Sequence, residues 1–132
     1  MINRDVRFIE YGEKTQKLLN QALVIALTKV NEEAIMFPLY ADNMKPTEAE
    51  AEHAAEVIKT AVLTQTIYHG AQYLIAKTLL FIATDLSNWI GDSLSPIEAC
   101  AEYEVINGME VTLDTVNDLK SLAIRIDERS VF

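Results

Sequence analysis

Residues 47–90 read TEAEAEHAAEVIKTAVLTQTIYHGAQYLIAKTLLFIATDLSNWI and contain the longest helical pattern in the chain, with no proline to interrupt it. One set of positions recurs at alternating steps of four and three residues, which places its members on one face of a helix. These positions are Ala54, Ile58, Ala61, Gln65, Tyr68, Gln72, Ile75, Leu79, Ile82, Leu86 and Trp89. A second apolar stripe consists of Leu63, Ile67, Ala71, Leu74, Thr78 and Phe81. The spacing predicts a long central helix over about 47–90, in which Gly70 either breaks the helix or allows close packing.

The residues around this pattern supply helix start and stop signals. Thr47 and Glu50 form a capping box, in which the Thr47 hydroxyl accepts from the Glu50 amide and the Glu50 carboxylate reaches back. Gly91-Asp92 closes the helix, and Ser95-Pro96-Ile97-Glu98 opens the next helix with a second capping box and a proline at its first position. Asn107-Gly108 predicts its end.

Two further amphipathic patterns complete the prediction. A first helix extends from about Asp5 to Met36, before Phe37-Pro38, and a last helix extends from about Leu113 to Glu128. The inward positions of the first are Leu18, Leu19, Ala22, Leu23, Ala26, Leu27 and Val30. Those of the last are Val116, Leu119, Ala123 and Ile126. We expect one all-α domain over residues 1–132, a compact bundle of four to five helices.

The charge distribution limits the partners of the protein. Twenty acidic residues against 11 Lys and Arg give a net charge of −9, concentrated in residues 31–58 and 85–132. Such a field repels phosphate backbones, so we expect no direct nucleic-acid binding. Lys77 is the only charged residue between Lys59 and Asp85, but the threonines and glutamines there are too polar for a lipid-facing span. We therefore expect no membrane insertion.

Cysteine usage and the first residues favour a cytoplasmic protein. Cys100 is the single cysteine and cannot form an internal disulfide. We expect it on the inner face of its helix with Ala99, Ala101 and Val105, where a thiol packs inertly. Charged residues near the start interrupt any signal-like apolar run: Arg4, Asp5, Arg7 and Glu10.

A group of polar residues lies in the middle of the predicted central helix and is the candidate site. Its members are Gln65, Tyr68, His69, Gln72 and Lys77. Buried polar groups need hydrogen-bond partners, because an unmade bond costs about 1–3 kcal/mol. Either these residues bond across a helix or subunit interface and set its register, or they line a pocket for a small nucleotide-like ligand.

Signals for catalysis are few. Glu50 and His53 have the Glu-x-x-His spacing of di-iron bundles, but the chain contains no second such pair. The pairs Glu52/Glu56 and Glu98/Glu102 could bind a divalent cation if an opposing acidic helix completed the site. No phosphate-binding glycine loop or zinc-type spacing is present. We therefore expect no enzymatic activity and no cofactor.

These observations predict a small acidic interaction protein that self-associates and binds or inhibits a protein partner. Self-association follows from a central helix with two apolar faces in a chain too short to cover both. The acidic run of Glu48, Glu50, Glu52 and Glu56 could also imitate a phosphate lattice. One alternative is a small-ligand binding oligomer that uses the polar group, and another is a metal-dependent hydrolase that uses the glutamate pairs.

Overall fold

A computed structural model describes residues 4–33 and 48–128. Within these ranges the protein forms five α-helices and one short antiparallel strand pair. The helices are α1 (Glu13–Glu33), α2 (Glu48–Thr64), α3 (Gln72–Gly91), α4 (Pro96–Asn107) and α5 (Thr115–Ile126). The strands are β1 (Val6–Arg7) and β2 (Thr66–Ile67), with Val6 opposite Ile67. The expected all-α bundle is confirmed.

Helix α3 is the centre of the bundle and contacts the other four helices, most extensively α5. Ile75, Leu79, Ile82 and Leu86 recur on its buried face and are fully excluded from solvent. They pack with apolar side chains of α1, α2 and α5, including Leu19, Leu23, Ile58, Leu119 and Ile126. The period of three and four residues therefore predicts the α3 core correctly.

The central helix expected over about 47–90 is divided into α2 and α3, because the chain leaves the helical conformation between Thr64 and Gln72. Gln65 has a left-handed φ of 52°, and β2 and a 3-10 turn at His69–Ala71 follow it. The adjoining β-branched residues favour extended backbone, and β1 supplies hydrogen-bond partners that a continuous helix would not use. The break begins at Gln65 and includes Gly70, which has no positive φ.

The first helix begins later than expected. Residues 5–12 form β1 and a 3-10 turn at Phe8–Glu10, so that α1 starts at Glu13 rather than at Asp5. Val6 and Phe8 are buried in the core, and the Phe8 amide donates to the Gln65 carbonyl at 2.9 Å. The N-terminal segment thus packs as part of the bundle. The predicted end at Met36 and the Thr47 cap lie outside the described residues.

The local signals around α4 are confirmed except for one half of the capping box, because the Ser95 amide donates to Ser93 Oγ rather than to the Glu98 carboxylate. The Ser95 hydroxyl accepts from the Glu98 amide at 3.4 Å, and Pro96 occupies the first helical position. Gly108 ends the helix with a φ of 71°, a left-handed conformation that glycine adopts without strain. Helix α5 begins and ends within two residues of its predicted bounds. In the described ranges, no helix combines the length and apolarity needed to cross a bilayer.

Candidate functional site

The five polar residues predicted as the site do not form a stripe on one helix. Gln65, Tyr68 and His69 are exposed and lie in the connection between α2 and α3, whereas Gln72 and Lys77 are buried on α3. The break in the central helix separates the two groups. The expectation that they share one helical face is therefore wrong.

Three of these residues attach the N-terminal segment or α1 to the rest of the bundle. The Gln65 side-chain amide donates to Asn20 Oδ1 at 3.0 Å and to the Val62 carbonyl at 2.7 Å. The Gln72 side-chain amide donates to the Arg4 carbonyl at 2.5 Å. The His69 backbone amide donates to the Asp5 carboxylate at 2.8 Å. These bonds join polar groups within one chain, which is a structural role, although the buried Gln72 Oε1 has no partner among the described residues.

Of the five, Tyr68 borders a groove between α2 and the α2–α3 connection. The groove has a volume of about 190 Å³. Its lining residues are His53, Glu56, Val57, Thr60, Ala61, Thr66, Tyr68 and Ala71. Pockets for small ligands usually measure about 300–1,000 Å³ and enclose most of the ligand. The groove is therefore small for a nucleotide-like molecule.

A second depression lies between the N-terminal segment and α5, with a volume of about 300 Å³. Its charged groups are already engaged by neighbours in the same chain. The Arg4 guanidinium donates to Glu10 Oε2 at 2.8 Å, and the Arg125 guanidinium lies 4.9 Å from the centre of the Tyr11 ring. The hydrogen bond from Arg4 is the largest cause that lowers the pKa of Glu10 to about 2. This arrangement stabilises the N-terminal segment against α5.

The glutamate pairs lie on different helices and do not converge. Glu52 and Glu56 are exposed on α2, and Glu98 and Glu102 are exposed on α4. Among the described residues, no three side chains of the metal-binding types His, Cys, Asp and Glu come together. The geometry of these ranges therefore gives the hydrolase alternative no support.

Helix α4 is held to the bundle by its inner face, which carries Ala99, Cys100 and Tyr103. The Tyr103 hydroxyl donates to Asp85 Oδ2 at 2.9 Å, and Lys29 Nζ lies 3.4 Å from the same oxygen. Burial, together with the Asp85 carboxylate, raises the pKa of Tyr103, so the phenol stays neutral. Burial also raises the pKa of the Cys100 thiol, as expected of an inert cysteine.

The outer face of α4 carries apolar side chains that nothing in the described chain covers. Ile97 and Val105 are 74% and 85% exposed, and Leu94, just before the helix, is fully exposed. Ala101 lies between them at the four-residue spacing and is also exposed. We call Leu94, Ile97, Ala101 and Val105 the α4 stripe. The expectation that Ala101 and Val105 face inward with Cys100 is wrong.

Sequence reasoning missed this surface because α4 is apolar on both sides. Its inner residues, Ala99 and Cys100, are no more apolar than Ile97 and Val105 on the opposite face. The periodicity that orients an amphipathic helix is therefore nearly absent. The available signal was this lack of a polar face, which is typical of a helix with partners on both sides.

Acidic side chains border the α4 stripe. Because an α-helix has about 3.6 residues per turn, Glu98 and Glu102 lie along one edge and Glu104 lies along the other. All three are exposed, and none of them forms an ion pair with the residues of 4–33 or 48–128. The site is thus an exposed aliphatic stripe between two acidic edges.

No family model matches the chain, and neither a curated protein nor a solved structure matches it significantly.

Proposed function

We propose that the protein is a non-enzymatic interaction protein that binds a protein partner through the α4 stripe. The observation that carries this proposal is the exposure of Ile97 and Val105 on one face of α4, with Leu94 fully exposed just before the helix. Exposed aliphatic side chains are common singly, but their grouping along a helix is typical of a protein-binding surface. An inhibitory or adaptor role would follow from occupying the partner's surface.

Within residues 4–33 and 48–128, Leu94, Ile97 and Val105 lie outside the hydrophobic core, so their burial is left to a contact beyond these residues. Tyr103, Cys100 and Ala99 hold α4 on its other side. Burying one large aliphatic side chain contributes about 1.5–3 kcal/mol, so the stripe offers several such contributions that only binding can realise. Polar residues at Ile97 and Val105 would leave the contacts of the inner face unchanged.

The structure changes the basis on which self-association was expected. That expectation relied on a central helix with an uncovered second face, whereas α3 contacts helices of the same chain on several sides. Leu74 and Phe81 of the second stripe are packed against the core, although partly exposed. An apolar surface available to a partner lies on α4 instead, and a second copy is one of the occupants that an experiment must distinguish.

Photo-crosslinking from the centre of the stripe tests the proposal. Benzoylphenylalanine in place of Ala101 should form a cross-link to one partner in an extract of the cells that produce the protein. The same group in place of Ser121, which is exposed on α5, should not. The cross-linked protein is then purified for direct binding measurements.

Direct binding then separates the stripe from general surface apolarity. Ile97→Ser/Val105→Ser should weaken the affinity for the purified partner by about tenfold or more, because buried anchors each contribute above about 1 kcal/mol. The control Leu63→Ser/Ile124→Ser removes two exposed aliphatic residues elsewhere and should bind like the wild type. Equal affinity of the α4 variant and the wild type would contradict the proposal, as would a chain that cross-links to nothing at position 101.

A further inference from the structure

We infer that the partner of the α4 stripe presents a basic amphipathic helix, with an apolar stripe bordered by lysine or arginine. The inference rests on the function proposed above and adds the chemistry of the partner. It follows from two features of this surface, namely its shape and its charge.

The shape of the stripe fits a helix. Ile97, Ala101 and Val105 follow one another at four-residue steps on α4 and span about 12 Å along the helix axis. A partner helix that places apolar anchors at i, i+3 or i+4, and i+7 spans two turns and covers this length. Ala101, in the centre, is small and lets the partner backbone approach between Ile97 and Val105.

The charge of the surface selects a basic partner. Glu98, Glu102 and Glu104 border the stripe, and the sequence from Asp85 to Leu119 contains no lysine or arginine. Every charged side chain on α4 is therefore negative. Complementary charge across an interface speeds association and suppresses wrong partners, whereas juxtaposed like charges are unfavourable. A helix with acidic edges, a phosphate backbone and an anionic membrane are all disfavoured by the same argument.

The charge also disfavours a second copy of this chain. A two-fold dimer with its axis at the stripe would pack α4 on α4. Because α4 contains three glutamates and no lysine or arginine, every charged pair across that interface would be repulsive. Contact between α4 and a distant face of the next copy, when it is not reciprocated, would be head-to-tail and would give a ring or a filament. We therefore assign the surface to a different protein.

Peptide binding to the full chain tests the inference. The probe is a dye-labelled, 18-residue helical peptide with leucine at i, i+3, i+4 and i+7 and lysine along both edges. One control peptide has glutamate in place of each lysine, and another keeps the lysines but has serine in place of each leucine. Fluorescence anisotropy should show binding of the basic amphipathic peptide, and both controls should bind at least about tenfold more weakly.

Two matched variants test whether the glutamates of α4, rather than the net charge of the protein, attract the basic peptide. Glu98→Gln/Glu102→Gln removes an exposed pair at four-residue spacing on α4, and Glu52→Gln/Glu56→Gln removes an equivalent exposed pair on α2. Both change the net charge equally. We expect the α4 variant to bind the basic peptide about threefold to fivefold more weakly, and to lose part of the salt dependence, while the α2 variant binds like the wild type.

The outcomes separate this inference from the proposed function. Equal binding of the basic and acidic amphipathic peptides, or equal effects of the two glutamine variants, would overturn the basic partner while leaving the stripe as the surface. The basic partner would also be overturned, with the stripe still the surface, if the wild-type chain binds no peptide and sediments as a dimer that Ile97→Ser/Val105→Ser converts to a monomer. If Ile97→Ser/Val105→Ser binds the basic peptide as tightly as the wild type, the stripe itself is not the surface and the proposed function fails.

Discussion

Helices α4 and α5 have the same length of twelve residues and both pack on α3, but their outer faces differ in composition. The inner face of α5 buries Leu119, Leu122, Ala123 and Ile126. Most of its outer positions are polar, among them Asn117, Asp118, Lys120, Ser121 and Arg125. Helix α4 is apolar on both sides and exposes Ile97 and Val105. Because one apolar face is enough to dock a helix, the second face of α4 points to a contact outside the chain.

The largest expected effect comes from replacing one aliphatic residue with alanine on the inner face of α5 and one on the outer face of α4. Leu119→Ala should lower the free energy of unfolding by about 2–5 kcal/mol, because Leu119 is fully buried and its loss leaves a cavity. Ile97→Ala should change it by less than about 0.5 kcal/mol. Urea denaturation of both variants measures the difference. Comparable losses would mean that the outer face of α4 is covered within the chain, which would remove the basis for a partner.

A smaller effect tests how α4 is attached. Tyr103→Phe removes the hydroxyl that donates to Asp85, and we expect a loss of about 1–2 kcal/mol, since Asp85 retains Lys29 as a neighbour. Tyr68→Phe, at a half-exposed position, is the control and should be neutral. Thermal unfolding of the two variants gives the comparison. If both melt like the wild type, the inner face of α4 does not depend on this bond.

The smallest effect concerns the Arg4–Glu10 ion pair beside α5, which contrasts with the glutamates of α4, since these form no ion pair with residues 4–33 or 48–128. Arg4 lowers the pKa of Glu10 to about 2 in the folded chain, below the ordinary glutamate value of 4.5. A lowered folded-state pKa means that this contribution to stability is present above about pH 4.5 and is lost as the pH falls towards 2. The stability difference between wild type and Glu10→Gln should therefore shrink across this window.

Carboxyl-carbon NMR measures the same prediction directly. The Glu10 signal should titrate near pH 2 in the wild type, and Arg4→Gln should return its midpoint towards the ordinary glutamate value. An unshifted midpoint in the wild type would show that the Arg4–Glu10 pair does not form in solution. Glu10 would then not differ in this respect from the glutamates of α4.

The prediction of the fold succeeded where the signals are local. Ser95-Pro96 begins α4, Gly108 ends it, and Gly91 closes α3, because caps, proline and left-handed glycine act on residues within one helical turn. The amphipathic period of α5 placed Leu119 and Ile126 in the core for the same reason. These features follow from residues that are neighbours in sequence.

The candidate site could not be predicted in the same way. The polar group at 65–77 was expected on one helix because its spacing fits, but Gln65 is left-handed and Gln72 bonds to the Arg4 carbonyl. The α4 stripe was missed because both faces of that helix are equally apolar. In each case the decisive contact joins residues that are distant in sequence.

The sequence by itself therefore determined that the protein is acidic, that the chain is helical and where α4 and α5 lie. The positions of these helices follow from the apolar period and the caps, which act between residues that are close in sequence. Only the tertiary structure decided that the central pattern breaks at Gln65, since the strand that pairs there is Val6–Arg7, about sixty residues earlier. It also decided which face of α4 is inward. That choice depends on Tyr103 reaching Asp85 of α3, and it leaves Ile97 and Val105 facing outward.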